Sequence, residues 1–395
     1  MNLKHQAVKV PAVKVQVAVN KTMLKKLWTS EKNYLRGLKA VFLLLGPACN
    51  MTCRHCSQTP IKNTFCLKPD SELSEKVISF LKKWLDVKNG SFSRIYFWGG
   101  EPLLYWDTIK RYILLFESVG ISPRQYRIFS NGLLLTKEIA EFCNEHRVMF
   151  TMSYDAPNPL AVRNAVPSKE NIEALLECKK RSVNFVFNAL NAEPVRAFSM
   201  LESIFPETIV DMGLINVVSD IPKDIYSFGA GQIEKALDDL ANDIIAGNDP
   251  FGNRYSFFME KFIEEDLFMG ERFNMFPFPP CAPGIISLSF KFDGSIVRCH
   301  NDSIVISSVE DPYKDIVEKH RQVWKELTPK KCFGCPVVPI CRNRCPIGLY
   351  TKDKTEYVHC NVLRRIYGSV MRNRKKLTEC DIKEYIDLRA KVRRS

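Results

Sequence analysis

Residues 41–56 read VFLLLGPACNMTCRHC, an apolar run that breaks at Gly46-Pro47 and opens into three closely spaced cysteines. A short apolar run bounded by Gly and Pro is the pattern of a buried strand. Cys49, Cys53 and Cys56 follow it with the spacing C-x3-C-x2-C. Three thiolates on one loop can hold three corners of a cubane iron-sulfur cluster and leave one iron open to a further ligand. A structural zinc site calls for four closed ligands, normally as two paired knuckles, so the spacing favours iron and sulfur over zinc.

Working outward from that strand, short apolar runs alternate with segments of helical period. Strands are predicted at 41–45, 94–98, 126–130, 148–154, 183–190 and 209–218, and helices at 71–85, 107–118, 136–145, 169–180 and 195–204. In the helix at 71–85, Leu73, Val77, Leu81 and Trp84 share one face behind the capping residues Asp70 and Ser71. Six such units predict an α/β fold, a partial (β/α)6 TIM-like barrel that is open rather than closed. Two amphipathic helices are expected over 231–270, and the proline cluster FNMFPFPPCAPG (273–284) then marks a boundary. From that cluster onward lie 8 of the 14 cysteines, and a predicted hairpin, ISLSFKFDGSIVRC (286–299), turns at Asp293-Gly294. The expected organisation is a basic extension (1–38), the barrel (39–225), a helical linker (226–275), a small cysteine-rich iron-sulfur domain (276–362) and a basic C-terminal helix (363–395).

The chemistry-bearing residues fall where strands end. Gly99-Gly100-Glu101-Pro102 follows the second strand, Ser130-Asn131-Gly132 the third, and Ser153-Tyr154-Asp155 the fourth. Barrel-like folds bind ligands at the C-terminal ends of their strands, so four motifs, the cysteine loop included, are directed to one mouth. Two glycines let a ligand approach the backbone closely, and the Glu101 carboxylate can accept hydrogen bonds from an ammonium group.

The cysteine loop together with GGEP resembles the radical S-adenosylmethionine (SAM) superfamily, with His55 at the position where that signature has an aromatic residue. The resemblance implies a [4Fe-4S] cluster on Cys49, Cys53 and Cys56 whose open iron chelates SAM, and reductive cleavage of SAM to methionine and a 5′-deoxyadenosyl radical that takes a hydrogen atom from substrate. It further implies SAM contacts at His55, Gly99, Gly100, Glu101, Pro102, Ser130, Asn131, Ser153, Asp155 and Arg163, with Asn191, Leu214 and Ile215 as weaker candidates for ribose and adenine.

The C-terminal cysteines resemble the SPASM extension, which houses two auxiliary [4Fe-4S] clusters in many radical SAM enzymes that act on peptides. That resemblance assigns Cys281, Cys299 and Cys345 to one cluster, and Cys332, Cys335, Cys341 and Cys360 to the other. The set for the first cluster is one cysteine short. Its fourth iron is therefore expected to be open, a direct anchor for a substrate group. His300 and Asp302 are the candidates for moving a proton. Zinc sites are the alternative for the array. Cys143 and Cys178, on predicted helices, read as core thiols, while Cys66 and Cys380 fall outside both sets.

Composition bounds the partners. The chain has 395 residues and a formal net charge of +13, with 9 Lys or Arg against one acid over residues 1–40 and 11 against 4 over 361–395. The long body between them is close to neutral. One aromatic, Tyr367, interrupts the basic run at 364–377, which argues for a solvated basic helix and against a nucleic-acid reading face. The segment Val8 to Val19 alternates as an edge strand, or as one that pairs with an extended peptide. No secretory signal and no apolar stretch long enough to span a bilayer is legible, so a cytoplasmic protein with reduced thiols is expected. The resemblance implies a peptide or protein substrate and a low-potential electron donor of flavodoxin or ferredoxin type. Against this maturase reading stand a small-molecule or cofactor-biosynthetic radical SAM enzyme and a non-catalytic, metal-stabilised RNA-binding protein.

Overall fold

A computed structural model describes residues 30–58, 72–89, 93–215, 217, 221–258, 283–329, 331–332, 335 and 360–378. Six β/α units open it. Helix α1 (Glu31–Gly37) leads into β1 (Ala40–Gly46), followed by α2 (Glu75–Lys88), β2 (Arg94–Gly99), a 3-10 turn (Pro102–Tyr105), α3 (Trp106–Ser118) and β3 (Gln125–Ser130). Then come α4 (Lys137–Glu145), β4 (Val148–Ser153), α5 (Pro159–Val162), α6 (Lys169–Glu177), β5 (Arg181–Phe187), α7 (Pro194–Ile204) and β6 (Ile209–Leu214). Two helices, α8 (Lys223–Tyr226) and α9 (Gln232–Ile245), precede β7 (Ser287–Phe290), β8 (Ser295–Val297) and β9 (Val305–Ser308), and α10 (Tyr313–Leu327) and α11 (Cys360–Thr378) follow.

The strands form one sheet in the order β6-β5-β4-β3-β2-β1-β7-β8-β9. Neighbours from β6 to β1 are parallel, which establishes the α/β fold and its TIM-like partial barrel. The cysteine-rich hairpin does not stand apart from the barrel. Strand β7 pairs in parallel with β1, Phe42 opposite Ser289, so β1 is an interior strand and the hairpin extends the same sheet. Because a strand sends alternate side chains to opposite faces, β1 divides its apolar run. Val41, Leu43 and Leu45 join the main core under the helices, whereas Phe42 and Leu44 join a second cluster with Tyr96 and Val297 on the other face.

Helix α2 shows why this packing holds. Val77, Leu81 and Trp84 are fully buried, each stabilising by roughly 1.5–3 kcal/mol, and the Trp84 indole donates to the Leu38 carbonyl at 3.2 Å. The helix begins at Glu75, later than the spacing suggests, because Leu73 N–H donates to the Tyr112 hydroxyl and Ser74 N–H to the Phe292 carbonyl, which hold that segment extended. The capping residues expected there, Asp70 and Ser71, lie outside the described residues, as do the Val8 to Val19 segment, Cys66 and Cys380. Strand β5 ends at Phe187, three residues short of expectation, because the Asn188 side chain closes a turn, donating to the Val186 carbonyl and accepting from Leu190 N–H. Strand β6 likewise stops at Leu214 rather than 218. Of the two helices expected over 231–270, α9 is present and helical backbone resumes at 253–258.

The basic C-terminal helix is not simply solvated. Ile366, Val370 and Leu377 enter the main core beside Ile233, Leu237 and Leu240 of α9. The Arg365 guanidinium grips Glu234 through two hydrogen bonds of 2.8 and 2.7 Å, and Asn373 donates to Asp238 at 2.6 Å. Among the described residues no helix is long and apolar enough to cross a membrane.

Candidate active site

The cysteine loop leaves β1 and is clamped on two sides. On one side lie the glycines after β2. A Cβ on Gly99 would stand 2.6 Å from the Gly46 carbonyl oxygen, and one on Gly100 would stand 2.3 Å from that of Pro47. Gly100 N–H donates to Gly46 O and Glu101 N–H to Ala48 O, both at 2.8 Å. Both glycines thus admit the backbone of the cysteine loop itself, which occupies the space the bare sequence assigned to a ligand. On the other side, Thr52 N–H donates to Asn164 Oδ1 and Arg54 N–H to the Val162 carbonyl, each at 2.8 Å, while the Arg54 guanidinium reaches Asp224 at 2.6 Å.

Glu101 is buried and spends its carboxylate on the protein. Oε1 accepts from Ser130 Oγ at 2.7 Å and Leu103 N–H at 2.9 Å, and Oε2 accepts from Asn131 N–H at 2.7 Å. Burial raises its pKa, and these three donors, with Arg163, pull in the opposite direction. Pro102 starts the 3-10 turn that Glu101 caps. Asn131 then bridges back to the cysteine loop, its amide donating to Asn50 Oδ1 at 2.7 Å. Asn50, Asn164 and Asp224 escaped the sequence reading because nothing in their spacing distinguishes them from surface residues.

At the end of β4, Asp155 is fully buried. Oδ2 accepts from Arg163 Nε at 2.6 Å and lies 3.2 Å from His55 Nε2, and Oδ1 accepts from Val186 N–H at 2.7 Å. Arg163 also donates to Cys53 Sγ at 3.8 Å. Burial works against the Arg163 charge, but Asp155 and Cys53 outweigh it and its pKa is raised. Burial lowers the pKa of His55. It pushes the Cys53 thiol up to about 11, with Arg163 opposing. Such a thiol ionises readily only when a cation takes the place of its proton. Ser153 is half-buried on the sheet face opposite the helices, Ile215 is buried and Leu214 partly exposed.

These residues suit a cluster carrying SAM at its open corner. Three thiols share one loop at the mouth, Cys49 exposed and Cys53 and Cys56 partly so. Two buried polar groups, His55 Nδ1 and the Asn191 amide, have no hydrogen-bond partner within the protein among the described residues. Such groups are costly unless a ligand meets them. Among the described residues no three His, Cys, Asp or Glu side chains converge tightly enough for a single metal ion.

In the cysteine-rich part, Cys281, Cys341 and Cys345 lie outside the described residues. Cys299 and Cys332 are buried, Cys335 N–H donates to the Cys332 carbonyl at 3.3 Å, and Cys360 is the first residue of α11. His300 is carried onto the face of the barrel sheet, where its ring stacks on Phe42 at 4.5 Å and meets Trp98 at 4.6 Å; burial holds its pKa down to about 4. Asp302 is engaged by Arg298 and caps Ile304 N–H. Cys143 and Cys178 are core thiols with pKa values raised by burial.

Comparison with known proteins agrees with this geometry. Residues 43–191 match the model of the Radical SAM superfamily. The radical SAM cyclopropyl synthase TigE of Paramaledivibacter caminithermalis is 25% identical over 221 residues, a match that spans 53% of this chain and 46% of that protein. The structure of anSMEcpe with bound AdoMet superimposes with a TM-score of 0.64 at 16% identity, covering 89% of this chain and 98% of that one. Streptococcus suis SuiB bound to its precursor peptide SuiA gives 0.55 at 14% identity, covering 85% and 78%. The cysteine loop after β1, pinned by GGEP and faced by the buried Asp155–Arg163 pair, lies within the residues 43–191 that match the Radical SAM superfamily, on a partial barrel whose fold is shared with anSMEcpe and SuiB.

Proposed function

We propose that the protein is a radical SAM enzyme that modifies a ribosomally made peptide or protein, forming a crosslink or an oxidised or epimerised residue. The observation that carries this reading is the meeting of Cys53, Arg163, Asp155 and His55 at the barrel mouth. Cys49, Cys53 and Cys56 would hold a [4Fe-4S] cluster, which would supply the electron for reductive cleavage of SAM to methionine and a 5′-deoxyadenosyl radical. The protein's own groups aim and enclose. Asp155 and Arg163 order the wall beside Cys53, the Glu101 latch holds the loop against β3, and Asn131 ties it at Asn50. His55 on the cysteine loop, Ser153 at the end of β4 and Asn191 in the turn after β5 are the groups proposed to meet SAM.

A peptide substrate is supported by the fold shared with SuiB, whose structure holds the precursor peptide SuiA, and with anSMEcpe, whose structure holds a Cp18Cys peptide. Two auxiliary clusters, on Cys281, Cys299 and Cys345 and on Cys332, Cys335, Cys341 and Cys360, would take up the second electron when a crosslink removes two hydrogens from the substrate. A flavodoxin or ferredoxin would supply the first.

Anaerobic reconstitution tests the reading. Three cubanes require about twelve irons per chain, and replacing Cys49, Cys53 and Cys56 together by alanine should lower that to about eight and abolish 5′-deoxyadenosine formation. Co-expression with the small open reading frames beside the gene should yield a peptide lighter by two hydrogens, or one of unchanged mass carrying a D-residue. Iron without SAM cleavage would refute the proposal.

A further inference from the structure

The face of the sheet opposite the helices carries a stacked aromatic slab. The His300 and Phe42 rings lie 4.5 Å apart and nearly parallel, Phe42 and Tyr96 lie 4.4 Å apart, and Tyr96 and Phe129 continue the stack at 6.2 Å. Trp98 closes one side, edge-on to Phe129 and to His300. Over this slab sits Arg127. Its guanidinium carbon is 4.9 Å from the centre of the Phe129 ring and 6.0 Å from that of Tyr96.

Arg127 is the middle of β3, opposite Tyr96 on β2 and Met149 on β4, so it lies below the mouth that Ser130 and Asn131 line. Three residues of strand separate it from Ser130, roughly 10 Å. Among the described residues no carboxylate pairs with it, and its Nε is buried without a hydrogen-bond partner. The fully buried arginines are matched: Arg163 by Asp155, Arg254 by Glu202 and Asp243. A guanidinium held over aromatic faces has already lost part of its rotamer freedom, and its remaining donors form a fork that fits a carboxylate.

We infer that Arg127 is the anchor for a substrate carboxylate, held on the aromatic slab beneath the SAM mouth. One positive charge between apolar rings balances one negative charge. A phosphate of charge near −2 would remain under-compensated there. The inference rests on reading this face as the substrate side of the proposed radical SAM enzyme. The carboxylate belongs either to an aspartate or glutamate side chain or to a peptide C-terminus.

Ligand-observed NMR on the reconstituted protein under argon separates these sources. The probes are a capped tripeptide with a central aspartate, the same tripeptide with asparagine, a capped dialanine with a free C-terminal carboxylate, its amide, and inorganic phosphate. One carboxylate probe should bind about tenfold or more tightly than its amide, and which one does so names the source. Arg127→Met should erase that preference, and Arg127→Lys should keep part of it. Equal binding of acid and amide, no binding of either acid at millimolar concentration, or tighter binding of phosphate would each overturn the inference. So would an Arg127→Met variant that keeps the preference with an unchanged near-ultraviolet circular dichroism spectrum. The wild-type comparison needs no variant to fold, and none of these readouts depends on SAM cleavage, so failure of the anchor is distinguishable from failure of the proposed activity.

Discussion

Arg163 Nε donates to Asp155 Oδ2 at 2.6 Å, and the pair is buried within reach of Cys53 Sγ. Breaking a buried pair leaves an uncompensated charge, so Arg163→Met should destabilise the fold by about 3–5 kcal/mol. Asp155→Asn, which keeps the shape, should cost less. Urea unfolding of the two variants checks the order, and the iron retained at the Cys53 loop should fall with Arg163→Met.

Glu101 accepts three hydrogen bonds from the protein. In Glu101→Gln one acceptor oxygen becomes an amide donor that faces a donor, for which only the Ser130 hydroxyl can reverse. The expected loss is about 1–3 kcal/mol, against about 1 kcal/mol for Ser130→Ala. Because the two groups touch, the double variant should fall short of additivity, and a double-mutant cycle in urea measures the shortfall.

Gly100 and Gly368 should respond in opposite directions. A Cβ on Gly100 would collide with two backbone carbonyl oxygens of the cysteine loop, so Gly100→Ala should destabilise by roughly 1–3 kcal/mol and loosen iron binding. Gly368 lies inside α11, where the nearest atom to an added Cβ is the end of the Arg372 side chain at 3.9 Å. Gly368→Ala should stabilise by about 0.5–1 kcal/mol. Chemical denaturation and an iron assay on both variants test the contrast.

The docking of α11 should weaken in acid. The Arg365 hydrogen bonds hold the Glu234 carboxyl below its ordinary range. A carboxylate with a depressed folded-state pKa contributes stability that is fully present above its unfolded value, about 4.3, and is lost as pH falls through the folded value. Hydrogen exchange over residues 360–378 should therefore speed up relative to the rest of the chain below that pH. In Glu234→Gln the exchange should already be faster at neutral pH and should lose this pH dependence.

The cysteine loop, GGEP and the four strand ends were legible from sequence because they depend on local order. An apolar run ends at glycine, thiols recur at short spacing, and a parallel α/β sheet presents every such end to one mouth. The glycines were legible as glycines, but which backbone fills their space was not, because that depends on how the loops after β1 and β2 meet.

What only the tertiary structure decided are relationships between residues far apart in the chain. Asp155 meets His55 and Arg163, Glu101 meets Ser130 and Asn131, and β7 pairs with β1 so that His300 lands on Phe42. A strand period says that Arg127 and Phe129 share a face; it does not say that Tyr96 and Phe42 stack beneath them, or that among the described residues no carboxylate does. Pairing of this kind is set by sheet register and by the crossing of loops, and neither leaves a periodic mark in the sequence.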